Sequence, residues 1–429
     1  MKEKLFIVKK GIRLHYVPSD KFTSNTFTVH FLAPLTQKGA PLANLLAKVL
    51  KKGCAAYPSQ EAVAKRSEEL YASGVIAGAS KIGEVQSFFM SFSALDNRFA
   101  FDDTDIFDGA FSLFFSLLLE PLLENGAFSG EILERERRSL LDRISAQINN
   151  KGAYAAKRCR EIMCEKEAYR FSLDGNDEDV EKISSAELYS FYTQMLSSAP
   201  IEIYYIGKGA EEDVFAHVCT LFDAFSARES LAFKTEIISS AGSVKRVTET
   251  ADAVQGKLVM GFRTGEESTR DDFFAFMLFD AVYGASPVSK LFMNVREKLS
   301  LCYYCSSATD LDKGVMFVYS GVENENKEKA EAEILKQLNE ICQGAVSEAE
   351  MQCAKASLID NIRSVWDNAY SIERFMLTQH LRESEFGLED YIERISALAK
   401  DDVVRAAKRV TLDTVYFLEG NGKGGGADA

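Results

Sequence analysis

Between Pro41 and Gly53 the chain reads PLANLLAKVLKKG, and the apolar residues Leu42, Leu45, Leu46, Val49 and Leu50 recur at the spacing of a helix that buries one side. Pro41 suits the first turn of that helix and Gly53 suits its stop. The opposite face carries Asn44, Ala47 and Lys48 at i, i+3 and i+4, a spacing that lets three side chains converge. Elsewhere the pattern switches to the β-rich runs IRLHYVPSD (12–20), TFTVHFLA (26–33) and KLVMGFRT (257–264), which predict strands.

These elements come in duplicate. The stretch FSGEILERERRSLLDRI (128–144), followed by 178–209, has its echo in VSEAEMQCAKASLIDNI (346–362), followed by 390–422. Each copy gives an acidic-start helix, an Asp/Glu-rich turn, an Ile-Ser helix entry, a second helix and a closing strand rich in Val, Ile and Tyr. Matching positions lie about 210–220 residues apart, a domain-sized repeat. Strands followed by runs of helices, twice over, predict an α+β protein of two homologous domains, each a mainly antiparallel sheet with helices on one face. The Ser-, Gly- and Thr-rich stretch 235–256 reads as a linker plus an edge segment. The expected division is an N-terminal domain over 1–230, a linker over 231–245, a C-terminal domain over 246–422 and a flexible tail over 423–429.

A length of 429 residues with 46% hydrophobic and 27% charged residues suits packed domains that need no covalent staples. A net charge of −14 argues against a nucleic-acid partner and against an anionic membrane surface. The opening MKEKLFIVKKGIRLHYV has only a short apolar run broken by lysines, and no stretch approaches the roughly 20 apolar residues of a membrane span. A cytoplasmic protein is therefore expected, with its eight scattered cysteines reduced.

The sequence resembles the pitrilysin/insulinase metallopeptidases, of the processing-peptidase type, over essentially its whole length. Beyond the duplicated plan, three stretches carry the resemblance. Residues 41–59 look like the helix that bears the inverted zinc motif H-x-x-E-H. Residues 134–144 resemble the helix of the distal zinc glutamate, and SPVSKLFMNVREKLSLCYYCSS (286–307) resembles the second-half motif. In H-x-x-E-H two imidazoles at i and i+4 bind zinc, the glutamate activates the bound water, and a distant carboxylate completes the site. Here the two histidine positions hold Asn44 and Lys48, the general-base position holds Ala47, and the distal glutamate position holds Arg143. None of the four can serve, since Lys48 and Arg143 add positive charge where a divalent cation would sit. The resemblance thus implies a chain with no catalytic residues and no metal or other cofactor of its own. Zinc is expected only in a partner subunit. Lys48 is expected to pair with Glu136, within about 6 Å.

The histidines, His15, His30, His217 and His380, are far apart in sequence, and a structural role is expected for each. In CYYC (302–305) the two cysteines, three apart on a strand, are expected to point to opposite faces. The resemblance further implies that Arg296 and Tyr303 hold a substrate backbone, and that an extended peptide adds to the sheet edge VIAGASKIG (75–83). The function expected is that of a non-catalytic subunit, forming half of a clamshell chamber with a homologous zinc-bearing peptidase subunit and binding extended peptides. Two alternatives stand beside it: a self-associating homodimeric scaffold or peptide-binding protein of the same fold, and a hydrolase built on Glu131, Glu134 or Glu136, which the exposed register ERER disfavours.

Overall fold

Strand Ser24–Pro34 shows the logic of the architecture. Its odd positions Phe27, Val29 and Phe31 enter a large apolar core, while the even positions Thr28, His30 and Leu32 are buried on the other side of the sheet. A strand buried on both faces belongs to a sheet that is covered twice. The computed structural model describes residues 3–229, 233–265 and 270–422; the expected tail lies outside them, as do residues 231 and 232 of the expected linker.

The chain divides into two compact units, neither of them a continuous piece of sequence. The first comprises Met1–Ser145, Phe171–Lys234 and Asn368–Leu381; the second comprises Ala146–Arg170, Thr235–Asp367 and Arg382–Ala429. The first unit contains strands β1 (Lys4–Lys9), β2 (Ile12–Pro18), β3 (Ser24–Pro34), β4 (Val75–Ile82) and β5 (Val85–Leu95), a two-residue hairpin of β6 (Leu123–Glu124) and β7 (Ala127–Phe128), and β8 (Ile201–Gly207). Its helices are α1 (Gly39–Leu50), α2 (Gln60–Glu69), α3 (Ile106–Leu119), α4 (Gly130–Ala146), α6 (Asp177–Lys182), α7 (Ser185–Ser198), α8 (Glu211–Leu221) and, from far along the chain, α12 (Ala369–Leu381). The second unit contains α5 (Lys151–Met163), β9 (Lys245–Ala251), β10 (Gly256–Arg263), α9 (Arg270–Asp280), β11 (Cys302–Asp310), β12 (Val315–Val322), α10 (Lys327–Cys342), α11 (Glu348–Ser364), α13 (Leu388–Ala397), α14 (Lys400–Ala407) and β13 (Thr411–Gly420). After α9 the backbone widens into π-helical turns over Ala281–Ala285 and Leu291–Lys298.

The first sheet has the order β1-β2-β8-β3-β5-β4 and the second β11-β12-β10-β13-β9. Without β1, the first reads β2-β8-β3-β5-β4, and the second, read backwards, is β9-β13-β10-β12-β11. These are corresponding strands in the same order. Each sheet also has one parallel pair at the same place, β2 with β8 and β9 with β13, in otherwise antiparallel ladders. The duplication seen in the sequence is thus a duplication of topology.

Helices cover one face of each sheet, as expected. The other face also receives a helix, which in each unit comes from the opposite half of the chain. In the first unit α12 brings Leu377 against Leu32, Ile82, Val85 and Tyr204. In the second, α5 brings Ala155, Cys159 and Met163 against Val259, Phe317, Tyr416 and Leu418.

Candidate functional site

Helix α1 forms where the apolar stripe predicts it, and Leu42, Leu45, Leu46, Val49 and Leu50 are all buried in the main core. Ala47 is buried with them, at 2% exposure, so the side that carries the matched motif is not an open face. Asn44 and Lys48 remain half-buried. Arg143, from the last turn of α4, lies with them through a shared partner, Asp174 in the loop that precedes α6. Asn44 Nδ2 donates to the Asp174 carboxylate at 2.8 Å and to the Leu173 carbonyl at 3.2 Å, and the Arg143 guanidinium donates to the same Asp174 oxygen.

The close approach of this loop to α1 depends on Gly175. Its φ of +76° is a left-handed value, and a Cβ there would lie 2.8 Å from the Cβ of Pro41. Around Asp174, burial lowers the pKa of Lys48 and the Arg143 cation lowers it further, with Glu136 and Asp174 opposing.

The expected partnership of Lys48 with Glu136 is not a direct contact, although the carboxylate still acts to raise the lysine's pKa. The Glu136 carboxylate lies 3.0 Å from Lys52 Nζ and 3.3 Å from Arg135 Nε, and Lys48 makes no ion pair with it. The cause is helix geometry: Lys52, just past the end of α1, reaches the buried carboxylate that Lys48, one turn earlier, leaves to it. The two motifs read as neighbours do meet, but through different residues.

A zinc ion does not fit this arrangement. An amide donating to a carboxylate, two cations and a buried methyl group supply neither ligands nor a base, and of the nearby carboxylates Asp174 is already shared by Asn44 and Arg143 and Glu136 by Lys52 and Arg135. What sequence reasoning missed is Asp174 itself. Its aspartate-glycine dipeptide marks a turn, yet nothing local tells that the turn folds onto a helix some 130 positions earlier.

In the second unit Arg296 lies in the π-helical stretch Leu291–Lys298, with its guanidinium over the Phe292 ring at 4.6 Å and Nε 3.4 Å from the Glu297 carboxylate. Tyr303 is 77% exposed. The ladder between β11 and β12 explains that exposure: Cys302 pairs with Val322 and Tyr304 with Gly321, which leaves Tyr303 as a bulged extra residue. The bulge also corrects the expectation for the two cysteines. One extra residue resets the alternation, so Cys302 and Cys305 share a face, and their thiols interact. The hydrogen bond from Cys305 holds the Cys302 thiol down at about 7, with help from the Arg296 cation, while Cys305 is pushed well up. All eight cysteines are free thiols.

The stretch 75–83 contains β4, which is an edge strand, paired only with β5. The histidines are all engaged. His30 lies between Ser87 Oγ at 2.8 Å and the Glu373 carboxylate at 2.6 Å, and His217 pairs with Asp108 at 3.1 Å. His15 and His380, remote in sequence, come together with ring centroids 5.0 Å apart. No helix among the described residues is long and apolar enough to cross a membrane.

Comparison with known proteins agrees with this reading. A family profile described as the peptidase M16 inactive domain matches residues 182–358. The chain is 30% identical over 410 residues to the probable inactive metalloprotease YmfF of Bacillus subtilis (strain 168), covering 96% of each chain. Among solved structures, a conserved protein from Enterococcus faecalis V583 superposes with a TM-score of 0.91 at 26% identity, over 98% of this chain and 99% of that one. The peptidase M16 inactive domain from Pseudomonas fluorescens has the same fold, with a TM-score of 0.79 at 17% identity over 98% and 99% of the two chains. The chain belongs to the M16 metallopeptidase family, that of pitrilysin and insulinase, as a non-catalytic member.

Proposed function

We propose that this protein is the non-catalytic subunit of a two-subunit cytoplasmic peptidase. It pairs with a homologue that carries an intact H-x-x-E-H, supplies chamber wall, and offers two separate peptide-holding features, Arg296 with Tyr303 in the second unit and the edge of β4 in the first. The observation that carries this reading is the contrast between the residues of the two matched motifs. The four positions of the zinc site are bound up with Asp174 and the core, whereas Tyr303 stands out on a bulge with the Arg296 cation close to its neighbour Cys302. An exposed phenol and a forked guanidinium each suit a peptide backbone, to which both donate. The unpaired backbone of an edge strand suits strand addition.

The test is co-expression with an H-x-x-E-H homologue, followed by solution mass and peptide cleavage of each chain alone and of the mixture. A one-to-one complex that cleaves, where this chain alone does not, is the expected result. Arg296→Ala is expected to weaken peptide binding by about 1–3 kcal/mol, the usual cost of a lost charged hydrogen bond. A homodimer that ignores the homologue and binds no peptide would overturn the proposal in favour of a scaffold.

A further inference from the structure

We propose that His15, Glu202 and His380 form a binding site for one divalent transition-metal ion of the zinc class, unrelated to the position on α1 and serving to fasten α12 to the first sheet. The three residues come from β2, β8 and α12, and one ligand atom of each lies within 4.8 Å of the others. His15 Nε2 is 2.9 Å from one Glu202 oxygen, and His380 Nε2 is 3.8 Å from the other. In a tetrahedral site with bonds of about 2.0–2.2 Å, neighbouring ligand atoms stand about 3.2–3.6 Å apart. The two separations run to different Glu202 oxygens and fall on either side of that range, so small shifts of the carboxylate and of His380 would set both nitrogens and a carboxylate oxygen around an ion.

Three further observations favour a cation here. Both ring nitrogens of His15 face carboxylate oxygens, Nδ1 that of Glu3 and Nε2 that of Glu202. A neutral imidazole has one N–H to donate, so the pair of contacts calls for a positive charge at this ring, which either a second proton or a metal ion on Nε2 supplies. His380 Nε2 is aimed at Glu202 from beyond hydrogen-bond distance, which leaves a gap rather than a bond. The hydroxyl of Tyr204, whose ring stacks on His15 at 4.4 Å, is buried and has no hydrogen-bond partner among the described residues. An orphaned polar atom next to the cluster is what a hydrated ion would satisfy.

The surroundings have the form of an outer shell. Metal-bound imidazoles characteristically give their other N–H to a carboxylate, as His15 would to Glu3, and ligating carboxylates are themselves hydrogen-bonded. Here Arg13 Nε donates to the two Glu202 oxygens at 3.0 and 3.1 Å. Counting Glu373 on His30, this face holds three carboxylates, Glu3, Glu202 and Glu373, against the guanidinium of Arg13, a balance that a divalent ion would improve. Two imidazoles and one carboxylate with a position left open are the donor set of zinc, cobalt(II) and iron(II) sites.

The experiment uses the full chain, freed of metal with a chelator and titrated with zinc and, separately, with cobalt(II). Expected are one ion per chain, the visible absorption of four-coordinate cobalt, and a rise in Tm that grows with metal concentration. His380→Ala, at a half-buried position where the chain is expected to fold, should weaken zinc binding more than tenfold and abolish the cobalt spectrum. Glu3→Gln should weaken binding about tenfold, as loss of an outer-shell partner does. His217→Ala, away from the cluster, should change nothing. No stoichiometric binding at micromolar metal, or binding undiminished in both His380→Ala and His15→Gln, would overturn the proposal.

Discussion

The two sheets share one strand order, but the faces turned away from their main helix layers differ in chemistry. In the first unit that face is mixed: Arg13, His15, Thr28, His30, Ser87, Ser91 and Glu202 lie beside the apolar cluster of Leu32, Ile82, Val85 and Tyr204 that receives Leu377. In the second unit the corresponding face is apolar, built from Val259, Val315, Phe317, Tyr416 and Leu418 against Cys159 and Met163 of α5. Its charges are paired: Arg158 of α5 donates to Glu249 of β9 at 2.7 and 3.1 Å, with Tyr416 donating to the same carboxylate at 2.8 Å, and a second, more deeply buried cluster lies at the end of β10. There Arg263 donates to Asp413 at 2.9 Å and to both Glu167 oxygens at 2.7 and 3.0 Å, and Lys313 lies 2.7 Å from Glu167. The same topology therefore holds a helix in two ways. The second unit uses close packing with its ion pairs saturated, and the first combines the packing of Leu377 with hydrogen-bonded histidines.

Substitutions can break this contrast, and the largest effect is expected in the saturated cluster. Arg263→Met strands Asp413 and part of Glu167 in the interior and should lower stability by about 3–5 kcal/mol in chemical denaturation, the range for breaking a buried ion pair. Arg13→Met should lose only about 1–2 kcal/mol, because Glu202 keeps His15. Equal losses would erase the distinction. Met163→Ala, a cavity in the apolar layer, should follow at about 2–4 kcal/mol. His30→Ala deprives buried Glu373 of its partner and should lose about 1–3 kcal/mol.

The smallest effect is one of pH and sharpens the contrast. Burial pushes the Glu167 carboxyl up, but its hydrogen bonds to Arg263 and Lys313 more than reverse this and hold it below the usual carboxylate range. A carboxyl depressed in the folded state adds stability that is present above its unfolded value, near 4.5, and is lost as pH falls through the folded one. Urea midpoints measured from pH 6 downwards should therefore fall on acidification, and the fall should be shallower in Arg263→Met.

How much of this was legible in the sequence depended on range. The stripe from Leu42 to Leu50 and the echo of 128–144 in 346–362 are local periodicities, and they foretold α1, the duplication and the α+β plan. Asn44, Ala47, Lys48 and Arg143 were singled out by matching residue types to a motif, which needs no geometry. What was hidden needed tertiary contact. Lys52 took the place foreseen for Lys48 because one helical turn decides which ammonium reaches Glu136. Tyr303 became a bulge through the register of its neighbours Cys302 and Tyr304 against β12, which no property of CYYC announces. His15, Glu202 and His380 looked unrelated because hundreds of residues separate strand from helix.

The exchange of α5 and α12 between the units has a consequence for synthesis on the ribosome. Every strand of the first sheet has been made once residue 207 is complete, yet the helix that closes its second face begins at Ala369. At about 5–20 residues per second, that leaves roughly ten to thirty seconds in which a nascent first unit carries an uncovered sheet face. Meanwhile α5 waits in reverse, a finished helix whose sheet has not been translated. The first unit is thus completed only when translation of the whole chain is almost done.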